Sequence, residues 1–251
     1  MHYLHNGSKD ELIRQCKEGL ENGFHVFYLK IGLDIDSEVD MVSTIRETIG
    51  SKGKIRLDVN CGWKLPEAIK NFKRLKKFDI DFIEAPIMPD PLSGMKELRD
   101  QGLITVCANE GLWSAEDVYN HINERTSDVL TFGPYWVGSL AQFQRLAFCA
   151  HFEGIQVCKH THGELGIAAA AVHNILLTLP NIVDGNQQSI YTTMDDILME
   201  PLPIASKPDW GIPYKPGIGV DVDEAKVMKY SKFYKESGQY LTYNINNLKG
   251  N

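Results

Sequence analysis

The residues of this chain best suited to chemistry are three carboxylates and the basic groups that share their setting. Asp58, Glu84 and Glu110 follow one another at 26-residue intervals. Each ends a short apolar run: KIRLDVN from Lys54, DFIEAP from Asp81 and LITVCANE from Leu103. Lys30 ends an earlier run, HVFYLKIG from His25; His160 and His162 end a later one, GIQVCKH from Gly154. Tyr28 precedes Lys30 by two, Asn60 follows Asp58 by two, and Asp184 and Asn186 form another such pair. On a strand, residues at i and i+2 face the same way. Three carboxylates gathered at one point repel one another unless a cation sits between them. Hard oxygen ligands suit Mg²⁺ or Mn²⁺ rather than zinc. Taken singly, an Asp at a strand end is a common helix cap and a lone Lys is a solvated one. A Lys, three evenly spaced acids and a His at equivalent segment ends form a joint pattern that such readings do not cover.

The elements that must position these groups are legible in the chain's rhythm. Eight apolar runs begin at His2, His25, Lys54, Asp81, Leu103, Asp128, Gly154 and Asn181, at intervals of 22 to 29 residues. The segments between them read as helices. Ser8 to Glu11 is a capping box followed by apolar Leu12, Ile13, Cys16 and Leu20, with Gly23 as a stop. Ser114 to Asp117 opens another helix, and Glu164 to Leu179 is Ala-rich. Strands alternating with helices predict a parallel sheet, and eight of them predict closure into a (β/α) barrel. The repeats share no common signature, which disfavours a solenoid. In such a barrel the polar strand ends meet at the C-terminal face, each acid at matching depth. The expected fold is a TIM-type barrel of modified (β/α)7β form over residues 1–196. A proline-rich extension over 197–251, ending in a polar helix from Asp223 to Ser237, packs on it.

Composition bounds the function further. The chain of 251 residues is 43% hydrophobic and 24% charged, with a net charge of −7. That balance argues against a nucleic-acid partner. No apolar run is long enough to span a membrane, and the N-terminus shows no apolar signal segment. The five cysteines are scattered without CxxC spacing, as expected of reduced thiols in the cytoplasm.

Five stretches together carry a resemblance: YLKIG, LDVNCGW, FIEAP, CANEGLW, and DILMEPLPI with PGIGVDVD. In this order the chain resembles the barrel domain of the enolase superfamily, in its mandelate racemase/muconate lactonizing branch. The resemblance implies that Asp58, Glu84 and Glu110 bind one Mg²⁺, with Mn²⁺ as a substitute. It implies that Lys30 is the strand-2 base and that His160 is the strand-7 catalytic group. The substrate it implies is a small carboxylate whose α-proton is removed to give an enediolate. Homo-oligomers are common in the family.

The chain departs from the family pattern at several points. Tyr28 stands where a Lys is frequent, and Asn109-Glu110 where many members have Asp-Glu, so Asn109 is a weaker candidate ligand. Gly133 falls where a strand-6 base or a His-orienting Asp is found. Asp184 and Asn186 stand where strand 8 commonly carries a Glu. The family's N-terminal capping domain has no counterpart before strand 1. The expected reaction is a Mg²⁺-dependent elimination by an acid-sugar or hydroxy-acid dehydratase. Lys30 abstracts the α-proton and His160, or His162 in its stead, protonates the departing β-hydroxyl. Tyr28, Asn60, His162, Asp184 and Asn186 would contact the substrate. The alternatives are a racemase or epimerase, weakened because nothing in the sequence orients His160, and a catalytically silent barrel. Glu164 supports the site or simply begins a helix.

Overall fold

The computed structural model describes residues 1–188, 193–202 and 208–238. Strands and helices alternate: β1 (His2–Leu4), α1 (Lys9–Glu21), β2 (Val26–Lys30), α2 (Ile35–Ile49), β3 (Lys54–Asp58), α3 (Leu65–Leu75), β4 (Ile80–Glu84), α4 (Leu92–Asp100), β5 (Val106–Ala108) and α5 (Ala115–Glu124). They continue as β6 (Val129–Phe132), a one-turn α6 (Pro134–Val137), α7 (Leu140–Phe152), β7 (Gln156–Lys159), α8 (Gly166–Leu176) and α9 (Glu224–Ser237). The helix starts follow the side chains expected to cap them. Ser8 accepts from the Glu11 N–H, Ser114 from Asp117 and Asp223 from Lys226, each satisfying one of a helix's orphan donors.

The strands pair in parallel and in sequence order, β1 to β7. Short helical crossovers favour this sequential arrangement. Two apolar layers hold the sheet. Outward strand residues such as Phe27, Leu29, Ile55, Leu57 and Ile83 join the helices in the larger core. Inward residues Phe82, Cys107, Val129, Cys158 and Val183 fill the barrel's centre.

Seven strands, rather than the eight expected, are present among the described residues. The segment after α8 pairs with β7 only through the Val157–Ile182 bridge and neighbouring hydrogen bonds. Its ladder breaks at Asp184 and Gly185. Gly185 has φ 75°, and the carbonyls of Asp184 and Gly185 accept from the guanidinium of fully buried Arg56 on β3. Arg56 also pairs with Asp81 at 2.7 Å and lies over the Phe82 ring. A side chain at Gly185 would come 2.8 Å from a Val26 methyl, so this irregular segment packs closely against the start of β2.

Leu198 and Leu202 of the extension pack on Ala169 and Ala170 of α8. The Asp196 carboxylate caps α8 at the Gly166 N–H, 3.0 Å away. A Cβ at Gly166 would lie 2.4 Å from both Asp196 and Leu198, so only glycine permits the contact.

Candidate active site

The register of β2, β3 and β4 places Lys30 opposite Asp58 and Asp58 opposite Glu84. These three residues therefore form one continuous row at the C-terminal ends of adjacent strands. The row is anchored by unusual backbone. Asn60, Cys61 and Ala85, just beyond the two acids, have φ of 45°, 61° and 42°. Non-glycine residues adopt this left-handed region at a cost of roughly 1–2 kcal/mol each. The Asn60 N–H donates to Asp58 Oδ1 at 2.9 Å, which fixes the carboxylate's aim.

Glu110 departs from the expected matching depth. Glu84 pairs with Cys107, so Glu110 lies three residues past the register, in the loop after β5. The equal 26-residue spacings do not give equal depth, because β3 and β4 pair at an offset of 26 residues at the acids but β4 and β5 at 23. The Glu110 side chain nonetheless reaches back, and Asn60 Nδ2 donates to its Oε1 at 2.9 Å.

Lys30, Asn60, Tyr28 and Gln187 knit the acids together. Lys30 Nζ lies 2.6 Å from Asp58 Oδ2 and 2.5 Å from Asn60 Oδ1. The Tyr28 hydroxyl sits 2.8 Å from Asp58 Oδ2 and 3.2 Å from Glu84 Oε2. Gln187 Nε2 donates to Glu84 Oε2 at 3.3 Å. Burial raises the Glu84 pKa well above the usual carboxylate range, and the charges of Asp58 and Glu110 add to it. Burial raises Tyr28, and the charges of Glu84 and Asp58 add to it.

The donor set fits a hard divalent cation. All three acids offer oxygen, and Glu110 Oε2 is buried with no hydrogen-bond partner. As the side chains stand, no three of the described His, Cys, Asp or Glu residues are gathered closely enough to share an ion. The Lys30 ammonium, the Asn60 amide and the Tyr28 hydroxyl hold their oxygens instead.

The acids, Lys30, Asn60, Asn109, His160 and His162 line one cleft of about 780 Å³. Asn109 points inward but donates its amide to the Thr131 carbonyl at 2.8 Å. Trp113, Trp136 and His162 form an aromatic wall, with ring centroids 4.5 Å apart for the tryptophans and 4.9 Å for Trp136 and His162. Burial pushes the His160 ring down to about 4, and the charges of His162, Lys159 and Lys30 push the same way. Its Nδ1 is hydrogen-bonded to the Tyr135 hydroxyl. Glu164 lies before α8 and ties down the loop carrying the histidines. It accepts from Thr161 Oγ1 at 2.7 Å and the His162 N–H at 2.9 Å, and pairs with buried Lys159.

Asp184 and Asn186 do not join the site. Asp184 pairs with His25 at 2.7 Å and Lys54 at 3.5 Å, at the starts of β2 and β3. That is the opposite end of the barrel from Lys30 and Asp58. Asn186 accepts from the Lys159 N–H at 2.7 Å and donates to the Val183 carbonyl. The reason is parity. Val183 faces the barrel centre, so the residues that share its face are Gly185 and Gln187. Gln187 was the residue to expect from strand 8, and inward apolar Val183 was the signal. Tyr135 carries no comparable signal, because it stands on the single helical turn of α6 beyond β6.

Residues 11–226 match the family model described as Enolase C-terminal domain-like. A hydrophobic dipeptide epimerase of Enterococcus faecalis is 27% identical over 163 residues, covering 64% of this chain and 46% of the relative. A D-galactonate dehydratase family member of Salmonella virchow is 28% identical over 167 residues, covering 65% of this chain and 39% of the relative. The muconate lactonizing enzyme of Pseudomonas putida has a similar structure, with a TM-score of 0.83 at 26% identity, over 91% of this chain and 64% of that one. The chain thus spans about half the length of these curated relatives and under two thirds of that solved structure. A row of strand-end groups on a parallel barrel, a family match over most of the length and this fold likeness together make the chain a member of the enolase C-terminal domain-like family.

Proposed function

We propose that this barrel removes the proton α to a substrate carboxylate and eliminates a β-hydroxyl, as an acid-sugar or hydroxy-acid dehydratase. Asp58, Glu84 and Glu110 would hold Mg²⁺, which when bound supplies positive charge for the carboxylate and the enediolate that develops from it. Lys30 stands at the β2 side of the cleft and takes the α-proton in its neutral form. The C–O bond at the β-carbon then breaks, with its electron pair leaving on oxygen. That oxygen takes the proton from His160 Nε2 while Nδ1 takes the proton of the Tyr135 hydroxyl bonded to it, and it departs as water. Asn60 and Tyr28 hold the acids, while the wall of Trp113 and Trp136 receives the rest of the substrate.

The observation that carries elimination over racemisation is the partner of His160. Racemisation by opposed bases needs Nε2 as a lone pair, which a carboxylate at Nδ1 provides by accepting the Nδ1 hydrogen. Here a phenol stands at Nδ1. In this reading the phenol donates to Nδ1, so Nε2 carries the hydrogen and the Tyr135–His160 pair acts together as the proton donor. The second reading, a racemase or epimerase, is favoured by Lys30 and His160 lining one cleft from β2 and from the end of β7.

Incubation with a panel of hydroxy acids and acid sugars in D₂O with Mg²⁺ separates these readings. Elimination yields a 2-keto acid trapped by semicarbazide. α-Deuterium exchange with no keto acid would establish the second reading in its place. Neither product from any panel member would overturn both.

A further inference from the structure

Gly133 directly follows β6, and because Phe132 pairs with Lys159 it lies level with His160. Its backbone does not require glycine: φ is −139° and ψ is 162°, ordinary extended geometry. Space is what requires it. A Cβ on Gly133 would lie 2.6 Å from Tyr135 Cε1, 2.9 Å from Cζ and 3.1 Å from the hydroxyl oxygen. The Tyr135 ring therefore occupies the volume that a strand-6 side chain would fill. It is brought there by the turn of α6, in which Pro134 opens the helix and the Trp136 N–H returns to the Gly133 carbonyl at 3.2 Å. From that place its hydroxyl meets His160 Nδ1, and its ring stacks on His162 with a 5.1 Å centroid separation and a 19° interplanar angle.

We infer that Tyr135 is the positioning residue of His160, replacing a strand-6 side chain, and that Gly133 is glycine to make room for it. What looked in the sequence like a lost functional position is a relocated one. The hydroxyl fixes the ring's tautomer, with Nδ1 as acceptor and Nε2 bearing the hydrogen, and the stack on His162 holds the Tyr135 ring in place. The groups facing His160 are His162 and Lys159 on its own segment, Lys30 from β2 and Tyr135 from α6. None of these is a carboxylate that could impose the other tautomer. This assignment deepens the elimination reading, which rests on the same tautomer.

The test reads the ring directly and needs no substrate. In the full chain labelled with ¹⁵N-histidine, His160 should show an unprotonated Nδ1 and a protonated Nε2 at neutral pH. Tyr135→Phe keeps the ring and removes the donor, so the two nitrogens should move toward a mixture of tautomers. Gly133→Ala, which displaces the ring, should give the same spectral change, and the double variant should show no more than either alone. Gly133→Asp combined with Tyr135→Ala restores a strand-6 carboxylate in the vacated space and should move the hydrogen to Nδ1. Where turnover is measurable, Tyr135→Phe should lower kcat by about tenfold to a hundredfold with little change in KM, the usual cost of losing a group that orients a functional His. An unchanged ¹⁵N spectrum in Tyr135→Phe would overturn the inference whatever the reaction proves to be. A correct spectrum without turnover on any carboxylate would leave Tyr135 in its role and sink only the elimination reading.

Discussion

The two sides of the cleft are built on different principles. On the β2–β4 side, Lys30, Asp58 and Glu84 stand on regular strands in direct register, and a charged network links them. On the β6–β7 side, His160 follows the end of β7 and is held by Tyr135 from a single helical turn, among Trp136 and His162. The first side is rigid through the ladder; the second is assembled by packing of rings from loops. Regular strands deliver charge at set depth, whereas a donor whose tautomer matters is set by its immediate neighbour.

The comparison can be broken most severely at its two principal residues. Lys30→Met and His160→Asn should each reduce turnover by about 10²- to 10⁴-fold, the usual worth of a positioned acid or base. In D₂O, Lys30→Met should also abolish α-proton exchange, whereas His160→Asn should retain it under the elimination reading. Loss of exchange in both variants would point to two bases.

Glu84→Gln tests the charged side alone. Titration calorimetry should show Mg²⁺ affinity falling at least about tenfold, or about 1.4 kcal/mol. In EDTA the same variant should be more stable than the parent, because a buried like charge has been removed beside Asp58. Unchanged Mg²⁺ affinity would sink the metal assignment.

The aromatic side should announce itself in acid. His160 titrates near 4 when folded rather than 6.5, so the unfolded chain binds the proton first as pH falls. The stability held by neutral His160 is complete above about 6.5 and is lost as pH falls toward 4, by about 3 kcal/mol at most. Urea unfolding from pH 7 to 4 should therefore fall less steeply in His160→Asn. Parallel curves for the two proteins would show that folding does not lower the pKa of this ring.

The smallest effects should distinguish the two faces of the strand-8 segment. Gln187→Ala removes a hydrogen bond to buried Glu84 and should cost about 1 kcal/mol in stability, with a measurable fall in turnover. Asp184→Asn weakens only half-exposed ion pairs with His25 and Lys54, worth under about 1 kcal/mol, and should leave turnover unchanged. A turnover defect in Asp184→Asn would place that carboxylate back in the site.

Much of this arrangement follows from the chain alone, because its causes are local. Alternating apolar runs mark β2, β3 and β4, and a period of two aims Lys30, Asp58 and Glu84 inward with no knowledge of the rest of the fold. Ser8, Ser114 and Asp223 start their helices because a short polar side chain satisfies the helix's own first donors. Strand counting also predicts the parallel order.

Tertiary structure decided the rest, for reasons that span the barrel. Whether Asp184 and Asn186 or Gln187 faces the cleft depends on where Val183 packs among Phe82, Cys107, Val129 and Cys158. The strand-8 ladder fails because Arg56, 128 residues earlier, claims its carbonyls. Glu110 belongs to the site through Asn60 and not through its spacing. Gly133 reads as an empty position until the Tyr135 ring is seen in the space beside it. A periodic pattern can state which way a strand residue points, but only packing states what stands opposite.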